Sequence, residues 1–127
     1  MLPPPERPRA NVLIIDDDAG VRDVCTTMLH VLGYEAHEVR SGQQAMAALD
    51  QDASVELVLL DLQMPEMDGD EVLRALKQKH PALRVLMMSG RARDDLQRYL
   101  HAGADAVLKK PFGLRELDES VGTALSH

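Results

Sequence analysis

The chain has 127 residues, a formal net charge of −7, 45% hydrophobic residues and 28% charged residues, which suits one globular domain with a real core. The acidic balance argues against a general nucleic-acid binder, and with two tyrosines, one phenylalanine and no tryptophan no base-stacking platform is visible. The single cysteine, Cys25, excludes an intrachain disulfide and a cysteine zinc cluster, and it is expected to be a packed thiol.

The first ten residues, MLPPPERPRA, are rich in proline. Proline opposes both helices and central strands, so residues 1–10 are expected to form an extended linker or tail, and residues 11–127 a single domain. No apolar stretch approaches membrane-spanning length, and no signal-peptide pattern opens the chain. We therefore expect a cytoplasmic location and no membrane partner.

Apolar runs predict four strands of one sheet, at residues 12–15, 55–60, 83–88 and 106–108, and a segment of mixed polarity at residues 34–39 predicts a more exposed strand. Apolar side chains at helical spacing predict a helix after each strand. Those expected to face the core are Val21, Val24, Cys25, Met28, Leu29 and Leu32 in the first helix, Ala45, Ala48 and Leu49 in the second, Val72, Leu73 and Leu76 in the third, Leu96, Tyr99 and Leu100 in the fourth, and Leu114, Leu117, Val121 and Ala124 or Leu125 in the fifth. Strict alternation of strand and helix predicts a parallel sheet with helices on both faces.

Several residues predict where helices begin and end. Asp18 and Ser41 are expected to cap the first two helices. Gly33 suits the position just past the end of the first helix. Pro65 and the Asp-Gly pair at 68–69 predict a loop and a turn before the third helix.

Polar residues follow four of the five predicted strands without a gap. They are Asp16 and Asp17 after the first strand, Asp61 after the third, Ser89 after the fourth, and Lys109 with Lys110 after the fifth. In an open parallel α/β sheet, ligands bind outside the carboxyl ends of the strands. The sequence therefore predicts three carboxylates, a hydroxyl and an ammonium around one crevice.

Three carboxylates in one crevice repel each other. Two carboxylates ~5 Å apart repel by roughly 3 kcal/mol at an effective dielectric constant of ~20, so the group should raise a pKa or bind a cation. An all-oxygen site with open positions suits Mg²⁺ better than zinc. Because Mg²⁺ favours phosphate, a phosphoryl group is the expected ligand, and a carboxylate nucleophile giving an aspartyl phosphate is a known covalent route.

Four short motifs occur in order, each at a predicted strand end. They are Ile15-Asp16-Asp17 with Arg22, Asp61-Leu62-Gln63-Met64-Pro65 with Met67-Asp68-Gly69, Met88-Ser89-Gly90, and Lys110-Pro111-Phe112. In these motifs the chain resembles a CheY-like response regulator receiver domain, the phosphoacceptor module of two-component signalling, over about residues 11–125. The resemblance implies a flavodoxin-like α/β fold with a five-stranded parallel sheet, strand order 2-1-3-4-5, and five helices on two faces.

The resemblance also implies which residues hold the metal ion and the phosphoryl group. Asp61 would be phosphorylated by a histidine kinase or a histidine phosphotransfer protein. Asp17, Asp61 and the backbone carbonyl of Gln63 would bind Mg²⁺ directly, and Asp16 would act mainly through metal-bound water. The protein would then be a phosphoprotein of a phosphorelay.

Further properties follow from the same resemblance. Ser89 and Lys110 would contact the phosphoryl oxygens, and the Lys110-Pro111 bond would be cis. The protein would catalyse only its own Mg²⁺-dependent phosphorylation and dephosphorylation, so it would not be a turnover enzyme. Its expected partners are the phosphodonor and a downstream protein, with no direct nucleic acid, and its expected state is a monomer or a weak phosphorylation-dependent dimer.

Departures from the family pattern keep two alternatives open. Val107 stands where the family often has an aromatic switch residue, which lends slight support to a receiver fold used only for docking, without phosphorylation, whereas the intact set of acids and Lys110 argue against it. Gln63 stands where a haloacid dehalogenase-type phosphatase would have its second aspartate, which disfavours that enzyme. Gln63 and Arg91 occupy the positions with which similar receivers tune phosphoryl lifetime. For Asp18 we expect helix capping only, and for Lys109 a solvated position.

Overall fold

A five-stranded parallel sheet forms the centre of the protein, whose computed structural model describes residues 9–64, 67–91 and 95–126. Numbering only the strands of this sheet, they are β1 (Asn11–Ile15), β2 (Glu35–Val39), β3 (Leu57–Asp61), β4 (Arg84–Ser89) and β5 (Ala106–Lys109). The order across the sheet is β2-β1-β3-β4-β5, and every neighbouring pair is parallel. The predicted flavodoxin-like topology is confirmed, with strand ends within two residues of the predicted ones.

Five helices cover the two faces of the sheet, as predicted. They are α1 (Ala19–Val31), α2 (Gly42–Gln51), α3 (Gly69–Lys79), α4 (Leu96–His101) and α5 (Leu114–Leu125). Helices α1 and α5 pack on one face through Cys25, Leu29, Leu117, Val121 and Ala124. Helices α2 and α3 pack on the other through Ala45, Leu49, Val72, Leu73 and Leu76.

The central strand β3 shows why the sheet needs two covered faces. Leu57 and Leu59 belong to the core under α1 and α5, whereas Val58 and Leu60 belong to the core under α2 and α3. All four side chains are fully buried, because alternate residues of a strand point to opposite faces. An uninterrupted apolar run of this kind is the signature of a strand covered on both sides.

Three predicted core residues are exposed, so these predictions were wrong. Val24, Leu100 and Leu114 are 54%, 38% and 42% exposed. Val24 lies beside the buried stripe of α1, which centres on Cys25. None of the six residues of α4 is buried, and Tyr99 alone packs against the core from this helix. Leu114 is the first residue of α5.

The predicted helix caps are present. The Asp18 carboxylate accepts hydrogen bonds from the backbone N–H groups of Gly20 and Val21 at the start of α1. The Ser41 hydroxyl accepts one from the backbone of Gln44 in α2. Gly33 follows α1 with a φ of 91°, which residues with a Cβ rarely adopt.

A short hairpin connects β3 to α3, where the sequence predicted a loop and a turn. The two-residue strands Gln63–Met64 and Met67–Asp68 pair in antiparallel fashion, and Pro65, part of the predicted loop, lies outside the described residues. Gly69 begins α3 so close to β3 that a Cβ there would lie 2.8 Å from Leu62 Cδ2. A larger residue at position 69 would therefore require the Leu62 side chain to move.

Residues 1–8 of the proposed tail lie outside the described residues, and its last two residues pack against the domain. The Arg9 guanidinium lies 4.6 Å from the centre of the Tyr34 ring and pairs with Asp118 at 3.3 Å. Ala10 is buried. No helix in the described ranges is long and apolar enough to cross a membrane.

Candidate functional site

Three carboxylates meet at the carboxyl edge of the sheet. Asp16 follows β1 directly, Asp17 is next to it, and Asp61 is the last residue of β3. One carboxylate oxygen from each lies within 4.8 Å of the others. Asp16 and Asp61 are buried, whereas Asp17 is exposed. Neighbouring parallel strands bring their ends together, so residues 45 positions apart in the chain form one cluster.

One lysine faces this cluster from the end of β5. The Lys110 ammonium lies 3.2 Å from Asp61 Oδ1 and 3.4 Å from Asp16 Oδ2. Its backbone N–H donates to the carbonyl of Ser89 at 2.7 Å, which ties it to the end of β4. The Lys110-Pro111 bond is cis. The structure thus brings together four of the residues that the sequence singled out.

The crowding of charges shifts two pKa values. Burial raises the pKa of Asp16, and the nearby Asp61 raises it further, against hydrogen bonds from the Asp18 backbone and Lys110 that lower it. Burial by itself lowers the pKa of Lys110, but the carboxylates of Asp61 and Asp16 outweigh burial and raise it. The lysine is therefore charged at neutral pH and partly offsets the repulsion between the carboxylates.

Ser89 lies at the same edge of the sheet, as the last residue of β4. Its register partner on β5 is Lys109, and its side chain is buried. The hydroxyl donates to the backbone carbonyl of Arg91 at 3.3 Å. Ser89 would have to give up this bond, or share it, to donate to a ligand in the crevice.

Gln63 closes another side of the crevice. Its backbone N–H donates to Asp61 Oδ1 at 3.1 Å, which fixes the carboxylate relative to the hairpin. Its side-chain Oε1 lies 2.7 Å from the position that a Cβ on Gly90 would occupy. Glycine at 90 therefore lets the Gln63 amide lie across the end of β4, beside Ser89.

Residues outside the predicted set support the cluster. The Arg22 guanidinium donates to the backbone carbonyl of Asp16 at 2.7 Å and pairs with Glu38 at 3.3 Å. The sequence motif contained Arg22 but did not predict a function for it. Arg22 lies one turn after the helix cap Asp18, and helical side chains point back toward the preceding turn. This position could have indicated that the Arg22 side chain reaches the loop between β1 and α1.

Other residues that the sequence singled out lie on β5 and α1. Lys109 is exposed, and Val107 is partly buried on β5. Cys25 is buried in the core beneath the site, and burial, with a smaller contribution from Asp16, raises its thiol pKa to about 11. Cys25 is therefore a packed thiol, as the sequence indicated, and an unreactive one.

The donor set fits Mg²⁺ by its chemistry. The three carboxylates offer only oxygen, on an edge where Asp17 is open to solvent. Hard oxygen donors with room for water are what Mg²⁺ prefers, whereas zinc and copper sites in proteins usually include nitrogen or sulfur ligands. The excess of negative charge over the single lysine also favours a divalent cation here.

Comparisons with known proteins indicate the family to which the chain is similar. A family model described as "Response regulator receiver domain" matches residues 12–122. The sensor kinase CckA of Brucella abortus (strain 2308) is 38% identical over 114 residues, which cover 88% of this chain and 12% of that protein. The response regulator SaeR of Staphylococcus aureus (strain USA300) is 31% identical over 108 residues, which cover 84% of this chain and 46% of that protein.

A similar fold occurs among solved structures. The chemotaxis protein CheY4 of Vibrio cholerae superposes with a TM-score of 0.83 at 26% identity, covering 91% of this chain and 98% of that one. The chain therefore matches nearly the whole of CheY4. In contrast, it spans less than half the length of the curated relatives CckA and SaeR.

Proposed function

The chain belongs to the response regulator receiver domain family, and from this we propose that it accepts a phosphoryl group on Asp61 with Mg²⁺ and thereby switches the binding of a partner protein. The phosphodonor is a histidine kinase or a histidine phosphotransfer protein. The observation that carries the proposal is the position of Asp61, buried at a strand end beside Asp16, Asp17 and the Lys110 ammonium.

Asp61 is the nucleophile in this proposal. A carboxylate oxygen forms a bond to phosphorus while the bond from phosphorus to the donor's imidazole nitrogen breaks, and the electron pair stays on the imidazole, which later takes a proton from water. The N–H of Gln63 holds the Asp61 carboxylate by its Oδ1 atom. The product is an aspartyl phosphate, an established covalent intermediate in phosphoryl transfer.

Lys110 and Ser89 stabilise the phosphoryl group. The ammonium of Lys110, already 3.2 Å from Asp61, pairs with a phosphoryl oxygen as negative charge arrives. Ser89 donates its hydroxyl to another phosphoryl oxygen in place of the Arg91 carbonyl. Ser89 ends β4 and Lys110 directly follows β5, so the backbone holds both residues at this edge before the phosphoryl group binds.

Asp17, Asp61 and the backbone carbonyl of Gln63 would hold Mg²⁺ directly in this proposal, and Asp16 would act mainly through metal-bound water. The bound ion would supply positive charge that offsets the repulsion between carboxylates and phosphoryl oxygens. Burial of Asp16 excludes water from one side of the cluster. The exposed Asp17 leaves the other side accessible to the donor.

The rest of the proposal follows the family. The receiver is a signalling module, and any phosphorylation and dephosphorylation that it catalyses occurs on itself. We propose a cytoplasmic location, residues 11–127 as the receiver, and residues 1–10 as a linker or tail. Its output is a protein contact rather than a nucleic-acid contact, made as a monomer or a weak phosphorylation-dependent dimer.

Phosphoramidate with Mg²⁺ tests the proposal without the natural donor. The intact mass of the wild type should rise by one phosphoryl group, and removal of Mg²⁺ should prevent the rise. Asp61→Asn should abolish it, whereas Asp52→Asn, which changes an exposed carboxylate at the opposite edge, should not. An unchanged wild-type mass would leave the docking-only function as the better account. Steady hydrolysis of a small phosphate ester would instead favour a phosphatase.

A further inference from the structure

A cluster of three side chains holds the loop between β1 and α1 from behind. Arg22, in the first turns of α1, donates through Nη1 to the backbone carbonyl of Asp16 at 2.7 Å. Its Nε pairs with Glu38 Oε1 on β2 at 3.3 Å. The Thr26 hydroxyl donates to Glu38 Oε2 at 2.7 Å. We call Arg22, Thr26 and Glu38 the arginine clamp.

The arginine clamp is positioned by regular structure rather than by the loop. Arg22 and Thr26 are one turn apart on α1, so both side chains reach Glu38 on the neighbouring strand β2. Glu38 uses both carboxylate oxygens, one for each partner. Because Arg22 is largely buried, its guanidinium has little freedom to turn away from the Asp16 carbonyl.

The carbonyl that Arg22 holds belongs to the peptide unit between Asp16 and Asp17. A peptide unit is planar, so a fixed carbonyl oxygen also fixes the direction in which the chain continues to Asp17. Within the described ranges the Asp17 carboxylate makes no side-chain hydrogen bond or ion pair of its own. Its position within 4.8 Å of Asp16 and Asp61 therefore depends on its backbone.

We propose that Arg22 is a positioning residue for the metal site, holding the Asp16–Asp17 peptide so that the Asp17 carboxylate stays in the acidic cluster. The inference rests on the proposed function, because it concerns the same cation site. Arg22 acts through the backbone and does not touch the cation. Loss of such an outer support typically weakens metal binding about 10- to 100-fold.

Mg²⁺ titration of the apoprotein, by calorimetry, tests the inference directly. We expect Arg22→Ala to weaken Mg²⁺ binding about tenfold. Glu38→Ala, which leaves Arg22 in place but frees its guanidinium, should weaken binding less. Arg115→Ala is the matched control, because Arg115 makes a similar 3.2 Å pair with Glu119 on an exposed part of α5, and it should bind Mg²⁺ like the wild type.

A second readout separates positioning from a general loss of stability. The carbonyl held by Arg22 shares its peptide unit with the Asp17 N–H, so losing the hydrogen bond should shift the Asp17 amide nitrogen resonance before any metal is added. We expect this shift in Arg22→Ala and, to a smaller extent, in Glu38→Ala. It should be absent in Arg115→Ala, whatever that variant does to the melting temperature.

The outcomes distinguish the inference from the proposed function. If the wild type does not bind Mg²⁺, the proposed function fails, and the positioning function fails with it. If the wild type binds Mg²⁺ and Arg22→Ala binds it within twofold, only the inference is overturned. If Arg22→Ala does not fold, Glu38→Ala decides: wild-type affinity with an unshifted Asp17 amide overturns the inference, and weaker binding with a shifted amide supports it.

Discussion

The two edges of the sheet differ in how far their carboxylates are neutralised by neighbouring positive charges. At the amino edge, one carboxylate, Asp105, accepts from the Lys77 ammonium at 2.7 Å and the Val85 N–H at 2.8 Å, and lies 3.6 Å from Arg84. At the carboxyl edge, the carboxylates of Asp16, Asp17 and Asp61 cluster around one lysine. That lysine, Lys110, contacts two of the three at 3.2 and 3.4 Å.

The difference separates a structural charge network from a candidate binding site. The single carboxylate of Asp105 is surrounded by the Lys77 ammonium, the Arg84 guanidinium and the Val85 N–H, so its negative charge is fully compensated. This edge therefore needs no ligand, and these contacts help hold α3, β4 and β5 together. Within the described residues, the cluster at the carboxyl edge has three carboxylates against the one ammonium that contacts them, and each pair of these carboxylates repels by roughly 3 kcal/mol at an effective dielectric constant of ~20. Such a site stays folded because the rest of the core supports it, and it gains stability when a cation binds.

The largest loss of stability should come from removing the Lys77–Asp105 ion pair at the amino edge. Lys77→Ala should lower the free energy of unfolding by about 3 kcal/mol, because it leaves Asp105 short of a donor in a largely buried position. Lys79→Ala is the matched control on the same helix, with a pair to Asp50 of nearly equal length. The ion-pair side chains are 22% and 15% exposed for Lys77 and Asp105, but 51% and 46% exposed for Lys79 and Asp50.

Urea denaturation of both variants measures this contrast. Lys79→Ala should have the same urea midpoint as the wild type, because exposed ion pairs contribute little to stability. Equal midpoints for the two variants would show that burial does not distinguish the amino edge from the surface.

A smaller loss of stability should follow from removing Lys110, the lysine that contacts the carboxylates of the carboxyl edge. Lys110→Met should lower stability by about 2 kcal/mol at pH 7 without Mg²⁺, because Asp16 and Asp61 lose their partner. The raised pKa of Lys110 means that its stabilisation is complete at neutral pH and is lost only as the pH rises through that pKa.

Melting curves with and without Mg²⁺ test the compensation. Saturating Mg²⁺ should stabilise Lys110→Met more than the wild type, since the variant has the greater excess of negative charge. Equal stabilisation of both proteins would count against charge compensation at this edge.

The smallest effect concerns Cys25, beneath the acidic cluster. Its thiol pKa rises from 9.0 to about 11 on folding, so between these pH values the unfolded chain loses the proton that the folded chain keeps. Folding stability should therefore fall as the pH rises, by about 1 kcal/mol between pH ~9 and pH ~10. In Cys25→Ala this part of the pH dependence should disappear, and an unchanged slope would contradict the assignment.

The sequence predicted the topology and the edge on which the acidic cluster lies. The parallel sheet and this edge follow from short-range patterns, namely apolar runs of strand length and the polar residues directly after them, such as Asp61 after residues 57–60, whereas the strand order came from the family resemblance. Because parallel strands align their carboxyl ends, the order of elements was enough to bring Asp16, Asp61 and Lys110 together.

Long-range side-chain partners could not be predicted in the same way. Lys77 and Asp105 are 28 positions apart, and no local pattern relates them. Arg22 finds Glu38 only because α1 crosses β2 at that point. The same reason explains the wrong prediction for Leu100: helical spacing gives the apolar side, but the length of α4 and its contact with the sheet decide what is covered.

The comparison between the edges is tested most directly by the unfolding free energies of the wild type and Asp61→Asn, each with and without Mg²⁺. Asparagine keeps the shape of the side chain and removes its repulsion with Asp16 and Asp17, at the cost of one contact with Lys110. Without Mg²⁺ we predict that the variant is more stable than the wild type by about 2 kcal/mol. Saturating Mg²⁺ should stabilise the wild type and reduce this advantage. A variant that is less stable than the wild type without Mg²⁺, with an equal response of both proteins to the ion, would contradict the account.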